Sequence, residues 1–380
     1  MKAILSIILF FLSNPANAAV YAPPTPAMIR HELEILQTQY RKLLGSYKNS
    51  GWWNDAHNLE AILNASRYVG VDDYNGVVGH SYGLLRFRPW GNFINNIYDD
   101  ESWWGITWVR AYQVTGNLKY LIRATRIHKQ IANHAWTNTC GGGLNWKFLR
   151  KYKNSITNGV FLELSSLLAE VSFGDERKYY LDWAYKVFDW VLQSGMLDKG
   201  TGLFADGTLS DCSSNHQLDW TFIQGVYIGA AATLFHLDGK QRWLDLGKSF
   251  IQGAWDHQTE NGILFEKSCH DSYTATPWTP WVPGFVGQPS CMPDAVLYKG
   301  IFMKNLALFY ENLPAHDPFK QKIENFTRDQ VAAIESGPRD DFGFVGLNWG
   351  EKSVIYSTSS ETSGIEGLIS GYRILVRNKN

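Results

Sequence analysis

Apolar residues recur at helical spacing along most of the chain. Ile29, Leu33, Leu36, Tyr40, Leu43 and Leu44 keep one face apolar, as do Val160, Leu164, Leu167, Leu168 and Val171. Tyr180, Trp183, Ala184, Val187, Trp190 and Val191 repeat the pattern. This periodicity predicts eleven helices, near 27–48, 53–69, 99–115, 117–135, 154–172, 175–194, 219–237, 240–257, 294–312, 316–336 and 358–376. Residues 70–98 are too irregular to assign. Thr115-Gly116-Asn117, Phe173-Gly174-Asp175 and Asp238-Gly239-Lys240 read as tight turns between helices. Glycine there relieves a left-handed C-cap, and Asn117 and Asp175 are suited to cap the next helix.

Between the helical hairpins lie longer segments with a common look: CGGGLNW (140–146), GTGLFADG (200–207), NGILFE (261–266) and FGFVGLNWG (342–350). Each places glycine before an apolar or aromatic pair, and the first three recur about every sixty residues. About six hairpins without strong strands predict one closed α/α toroid over residues 19–380 rather than two domains. An open solenoid is the alternative, though it calls for more regular repeats. Alternate helix starts carry Trp53-Asn54-Asp55, Asp99-Asp100, Lys153-Asn154-Ser155, Asp219-Trp220, Tyr298-Lys299 and Ser360-Glu361-Thr362. Helix capping explains the polar residues but not the Trp, Tyr and Lys beside them. If these helices line a toroid in parallel, their starts gather on one rim.

Composition narrows the partners. Formal charge is −1 with no long basic or acidic run, which argues against nucleic acid or an anionic membrane as the main partner. Sixteen tryptophans suit a surface that stacks on sugar rings, although cores consume aromatics too. Lys2, the short apolar run Ala3–Leu12 and Ala16-Asn17-Ala18 read as a secretory signal over residues 1–18, so a secreted chain is expected. The C-terminal GYRILVRNKN does not resemble a GPI signal, and a released monomer without a membrane anchor is the expectation. Four cysteines in an exported chain suggest disulfides, with Cys140–Cys212 and Cys269–Cys291 favoured among three pairings. Zinc is the alternative, but C-x-x-C is absent and no histidine stands at ligand spacing.

The candidate chemistry sits in YDDESWW, residues 98–104. Glycoside cleavage needs two carboxyl groups, one ionised and one protonated. Asp99 and Asp100 at a helix start beside Trp103 and Trp104 have the means to separate their pKa values, by repulsion, burial and the helix dipole. In isolation, a capped helix with core behind it explains the same residues. Of the Trp52-Trp53 and Trp103-Trp104 pairs, one ring each is assigned to packing and the other to sugar stacking. H-E-x-x-H and G-x-S-x-G are absent, and Gly141-Gly142-Gly143 is not followed by Lys-Ser/Thr, so neither a metal nor a cofactor is expected.

YDDESWWGITWVRAYQVTGNLKYL, CGGGLNW, YKNSITNGVFLELSSLL and WTFIQGVYIGAAATL together resemble glycoside hydrolase family 76, which includes bacterial and fungal endo-α-1,6-mannanases. The resemblance runs from Trp52-Trp53-Asn54 to Glu361-Thr362. It implies an (α/α)6 toroid and a retaining mechanism on mannan, with Asp99 as nucleophile and Asp100 as general acid/base. It places Trp103, Trp104, Asn154, Asn158 and Gln224 in or near the cleft, and the shared rim of helix starts adds Trp53, Asn54 and Asp219 as binding candidates. The family often has Tyr-Asn before Gln-Gly, where this chain has Phe222-Ile223. Alternatives are a transglycosylase of the same fold acting on mannan or GPI-linked mannoprotein glycans, and a non-catalytic glycan-binding protein.

Overall fold

The computed structural model describes residues 22–88, 91–218, 220–266, 293–353 and 355–377. The expected leader, Asp219, Cys269 and Cys291 lie outside them. Twelve α-helices occur among the described residues: α1 Pro26–Gln37, α2 Trp52–Asn64, α3 Asn75–Leu85, α4 Tyr98–Thr115, α5 Leu118–His134 and α6 Ser155–Val171, followed by α7 Gly174–Gln193, α8 Thr221–Asp238, α9 Gln241–His257, α10 Tyr298–Asn312, α11 Phe319–Ser336 and α12 Thr358–Leu375.

The even-numbered helices pack in sequence, α2 on α4, α4 on α6, then α8, α10 and α12, and α12 closes the ring on α2. The remaining helices lie outside, so the fold is an (α/α)6 toroid. Burial follows from position. α8 is buried continuously from Thr221 to Leu234, as a helix walled on every side must be. α5 buries only Tyr120, Ala124, Ile127, His128, Ile131 and Ala132, one stripe at three- and four-residue spacing. Inner helices approach closely. At Gly225 an added Cβ would stand 2.7 Å from the Phe302 backbone, so the Gln-Gly step reflects α8 pressed on α10.

Two sequence expectations change. The helix expected over 27–48 ends at Gln37, and a small antiparallel hairpin follows, β1 Tyr40–Arg41 with β2 Ser46–Tyr47, turned through Gly45 at φ +67°. Within 70–98 the chain forms α3, whose Gly76, Gly79 and Gly83 hid its periodicity. The glycine-bearing segments are the outer-to-inner connections. They form a Trp136↔Leu144 bridge, the hairpins β3 Leu197–Asp198 with β4 Leu203–Phe204 and β5 Thr259–Glu260 with β6 Ile263–Leu264, and an Arg339↔Val345 bridge. Cys140 and Cys212 are disulfide-bonded. No described helix is long and apolar enough to cross a membrane.

Candidate active site

The starts of five inner helices meet around a cavity of about 470 Å³. α2 contributes Trp52, Trp53 and Asn54, α4 contributes Asp99, Asp100 and Trp103, and α6 contributes Asn154 and Ile156. Trp220 and Phe222 stand at the start of α8, with Asp294 and Tyr298 just before and at the start of α10. The start of α12 does not reach the cavity. Its Ser357 and Ser360 close a capping box, and Glu361 accepts the Val345 N–H at 2.7 Å. The connections add Trp146, Tyr152 and Asp206.

The lysines at two helix starts have a structural cause. Lys153 donates to Gly143 O at 2.6 Å and Thr137 Oγ1 at 2.9 Å, and Lys299 donates to Leu347 O. Both point away from the cleft and pin the glycine-bearing connections. Gly143, at φ +86°, lies flat beneath Trp190, and a Cβ there would meet the indole at 2.4 Å.

Asp99 and Asp100 fall in the first turn of α4, whose N-cap, Ile97, offers no side-chain bond. Unpaired N–H groups at the helix start therefore face the carboxylates. Burial pushes Asp99 up to about 7, with Asp294 and Asp206 adding repulsion, while the N–H groups of Asp99 and Asp100 act the other way. Its Oδ1 is buried without a hydrogen-bond partner. Asp100 is pushed well above the usual range, by burial and then by Asp99, against one bond donated by Asn95 Nδ2 at 2.5 Å. Buried Glu101 accepts the N–H groups of Asn95 and Asn96 at 3.3 and 3.1 Å, which holds Asn95 in place to donate. Protonation is thus unequal: Asp99 gives up its proton first and Asp100 keeps one.

Two further carboxyls face the same space. Asp206 accepts from the Tyr152 hydroxyl, and Asp294 accepts from Trp53 Nε1 at 3.0 Å. Burial raises both. Trp53 and Trp103 lie nearly parallel, centroids 6.0 Å apart, and Phe222 stacks on Tyr298 at 3.6 Å. The result is a polar floor with aromatic walls, suited to a pyranose chain.

Of the residues expected in the cleft, Trp53, Asn54, Trp103 and Asn154 line it together with the two aspartates. Three do not line it. Trp104 is fully buried against Trp52, Phe93 and Trp108, because the residue after Trp103 turns about a hundred degrees into the core. Asn158 spends its amide on Leu144 N and O and on Asn154 O, tying α6 to the CGGGLNW connection. Gln224 is buried on α8 and is not part of the cavity lining. Asp206, Asp294 and Tyr152 were missed. Asp206 stood in the open within GTGLFADG, and Asp294 at a predicted helix start.

Comparison with known proteins agrees with this fold. The chain is 24% identical over 354 residues to "Mannan endo-1,6-alpha-mannosidase DCW1" of Saccharomyces cerevisiae, covering 87% of this chain and 74% of that one. Its fold matches the GH76A α-1,6-mannanase of Salegentibacter sp. HEL1_6 with TM-score 0.78 at 21% identity, covering 92% of this chain and 99% of that one. The same coverage, identity and TM-score hold for an inactive variant of that enzyme, with two consecutive aspartates replaced by alanine, in complex with α-1,6-mannotetrose. With the sequence profile described as "Glycosyl hydrolase family 76" matching residues 31–375, the chain belongs to glycosyl hydrolase family 76.

Proposed function

We propose that this chain is a secreted endo-α-1,6-mannanase that cleaves mannan backbones with retention of configuration. One observation carries the reading: adjacent Asp99 and Asp100, unequal in their hold on a proton, open an inner helix at the floor of an aromatic-walled cavity. Asp99 attacks the anomeric carbon while Asp100 protonates the departing glycosidic oxygen. Asp100, now ionised, takes a proton from water, which attacks the same carbon and releases Asp99. Asp206 and Asp294 hold sugar hydroxyls, and Trp53 and Trp103 pack against pyranose faces. The mannosidase names of the relatives and the oligosaccharide bound by the Salegentibacter variant support the substrate class. Residues 1–18 serve as a leader, and 19–380 make up the single catalytic domain.

Incubation with linear α-1,6-mannan should release new reducing ends and shorten the polymer to oligosaccharides of mixed length. Longer products without new reducing ends would identify a transglycosylase instead, and an unchanged polymer would overturn the substrate assignment.

A further inference from the structure

The inner helices share a second end. Opposite the carboxylate-lined mouth, their C-terminal ends surround a cavity of about 440 Å³. Its charged lining sets Arg67, Arg110 and Arg377 against Glu170 and Glu311. Arg373 holds Glu311 through two bonds of 2.6 and 2.9 Å, while Glu170 accepts only from Gln113 at 3.4 Å and attracts Arg67 and Arg110 without bonding either.

The arginines share few directly bonded acceptors, although Tyr68, Glu60, Glu170 and Glu163 together outweigh the burial of Arg110. Arg110 is buried, its Nε has no hydrogen-bond partner, and the nearest carboxylate oxygen, on Glu60, lies 4.0 Å away and belongs to a group already bonded to Lys304 at 2.6 Å. Arg110 and Arg67 both donate to the one amide oxygen of Gln113. Arg67, Arg373 and Arg377 share the ring of Tyr68, at 5.3, 3.8 and 5.5 Å. Arg67 and Tyr68 sit on a π-helical turn, Ala65–Val69, a local widening that functional sites often carry.

Cations are favoured near helix C-termini, and that accounts for isolated arginines here. It does not account for guanidiniums converging on one amide oxygen and one ring, where they repel each other. An anion relieves that repulsion, and the guanidinium fork matches phosphate oxygens. The cavity volume suits a sugar-sized ligand. We infer that this mouth binds a small oxyanion, inorganic phosphate or a phosphate monoester, between Arg67, Arg110 and Arg377. It is separate from the glycan cleft, whose carboxyls repel anions.

The test is thermal unfolding during titration with inorganic phosphate, with sodium chloride holding ionic strength constant. Wild-type protein should show saturable stabilisation. In Arg67→Ala/Arg377→Ala, both exposed positions, the affinity should fall by at least about tenfold while mannan cleavage is unchanged. Arg377→Gln alone offers the same comparison at the outermost position. Asp99→Asn/Asp100→Asn should respond to phosphate as wild type does. Equal stabilisation in the arginine variants, no effect beyond that of chloride, or loss of the effect in the aspartate variant would each overturn the site.

Discussion

The indole N–H of Trp53 donates to the carboxylate of Asp294 at 3.0 Å, joining positions 241 residues apart. The bond ties the start of α2 to the turn preceding α10, and both partners line the cavity. Trp53→Phe keeps an aromatic face but removes the donor, leaving Asp294 more strongly held in its protonated form. A bond to an ionisable group is worth about 1.5–3 kcal/mol, so kcat/KM on α-1,6-mannotetraose should fall by about tenfold or more. Steady-state kinetics check this, and an unchanged kcat/KM would show that the bond does not shape the site.

Asp99 and Asp100 are held above the ordinary aspartate value of 3.8, chiefly by burial. The folded state therefore binds more protons than the unfolded chain from about pH 4 upward, and the contribution to stability declines as pH rises, through about 7 for Asp99 and further as Asp100 loses its proton. Asp99→Asn/Asp100→Asn removes the penalty. The double variant should unfold later than wild type above about pH 7, by on the order of 2 kcal/mol, with the difference closing toward pH 4. Denaturant melts across pH measure it.

The same asymmetry sets the rate profile. In the proposed mechanism, Asp99 must be ionised to attack and Asp100 protonated to donate. Since Asp99 titrates near 7, kcat/KM should fall as pH drops below about 7, and fall again at higher pH when the pair loses its second proton. Replacement of Glu101 by Gln, which weakens the acceptor that positions Asn95, should shift the upper limb. A pH–rate series on both proteins checks the shift.

Beneath the cleft floor, Lys304 meets Glu60 at 2.6 Å with both side chains buried. Burial opposes ionisation of Glu60, but Lys304, His57 and Arg110 override it and hold the carboxyl low. Lys304→Met leaves a buried carboxylate short of its main partner and should cost about 3–5 kcal/mol in denaturant melts, with Glu60→Gln/Lys304→Met recovering much of the loss.

Much of the toroid is visible in the sequence because its outer helices are amphipathic, while its inner helices are buried on nearly all faces and carry long apolar runs, as α8 does. α5 and α7 were found close to their true bounds for that reason. α3 was not, because three glycines replace the side chains that would have marked its face. The hairpin at 40–47 was absorbed into α1 because Tyr40, Leu43 and Leu44 continue the helical spacing by accident. At the site, Asp99 and Asp100 stood out as neighbours. Asp206 reaches the cleft only because the connection after β4 folds inward, with Tyr152 donating to its carboxylate and Asn215 Nδ2 donating to the Tyr152 hydroxyl at 3.2 Å. Single-chain periodicity carries no signal for that contact. Asn158 misled for a related reason: an asparagine that binds backbone looks, in sequence, like one that binds sugar.

The Cys140–Cys212 disulfide closes a 72-residue separation and anchors the connection that carries Asp206. Cys140→Ser/Cys212→Ser should lower stability by about 2–5 kcal/mol and reduce mannan cleavage by loosening Asp206. Thermal melts and initial rates report the two effects separately.

Retaining double displacement by Asp99 and Asp100 is tested most directly by proton NMR of the first reducing end released from linear α-1,6-mannan, followed before mutarotation. An initial α-anomer is the expected result, and its appearance should cease in Asp99→Asn. An initial β-anomer, or an Asp99→Asn variant that cleaves at the wild-type rate, would contradict the assignment.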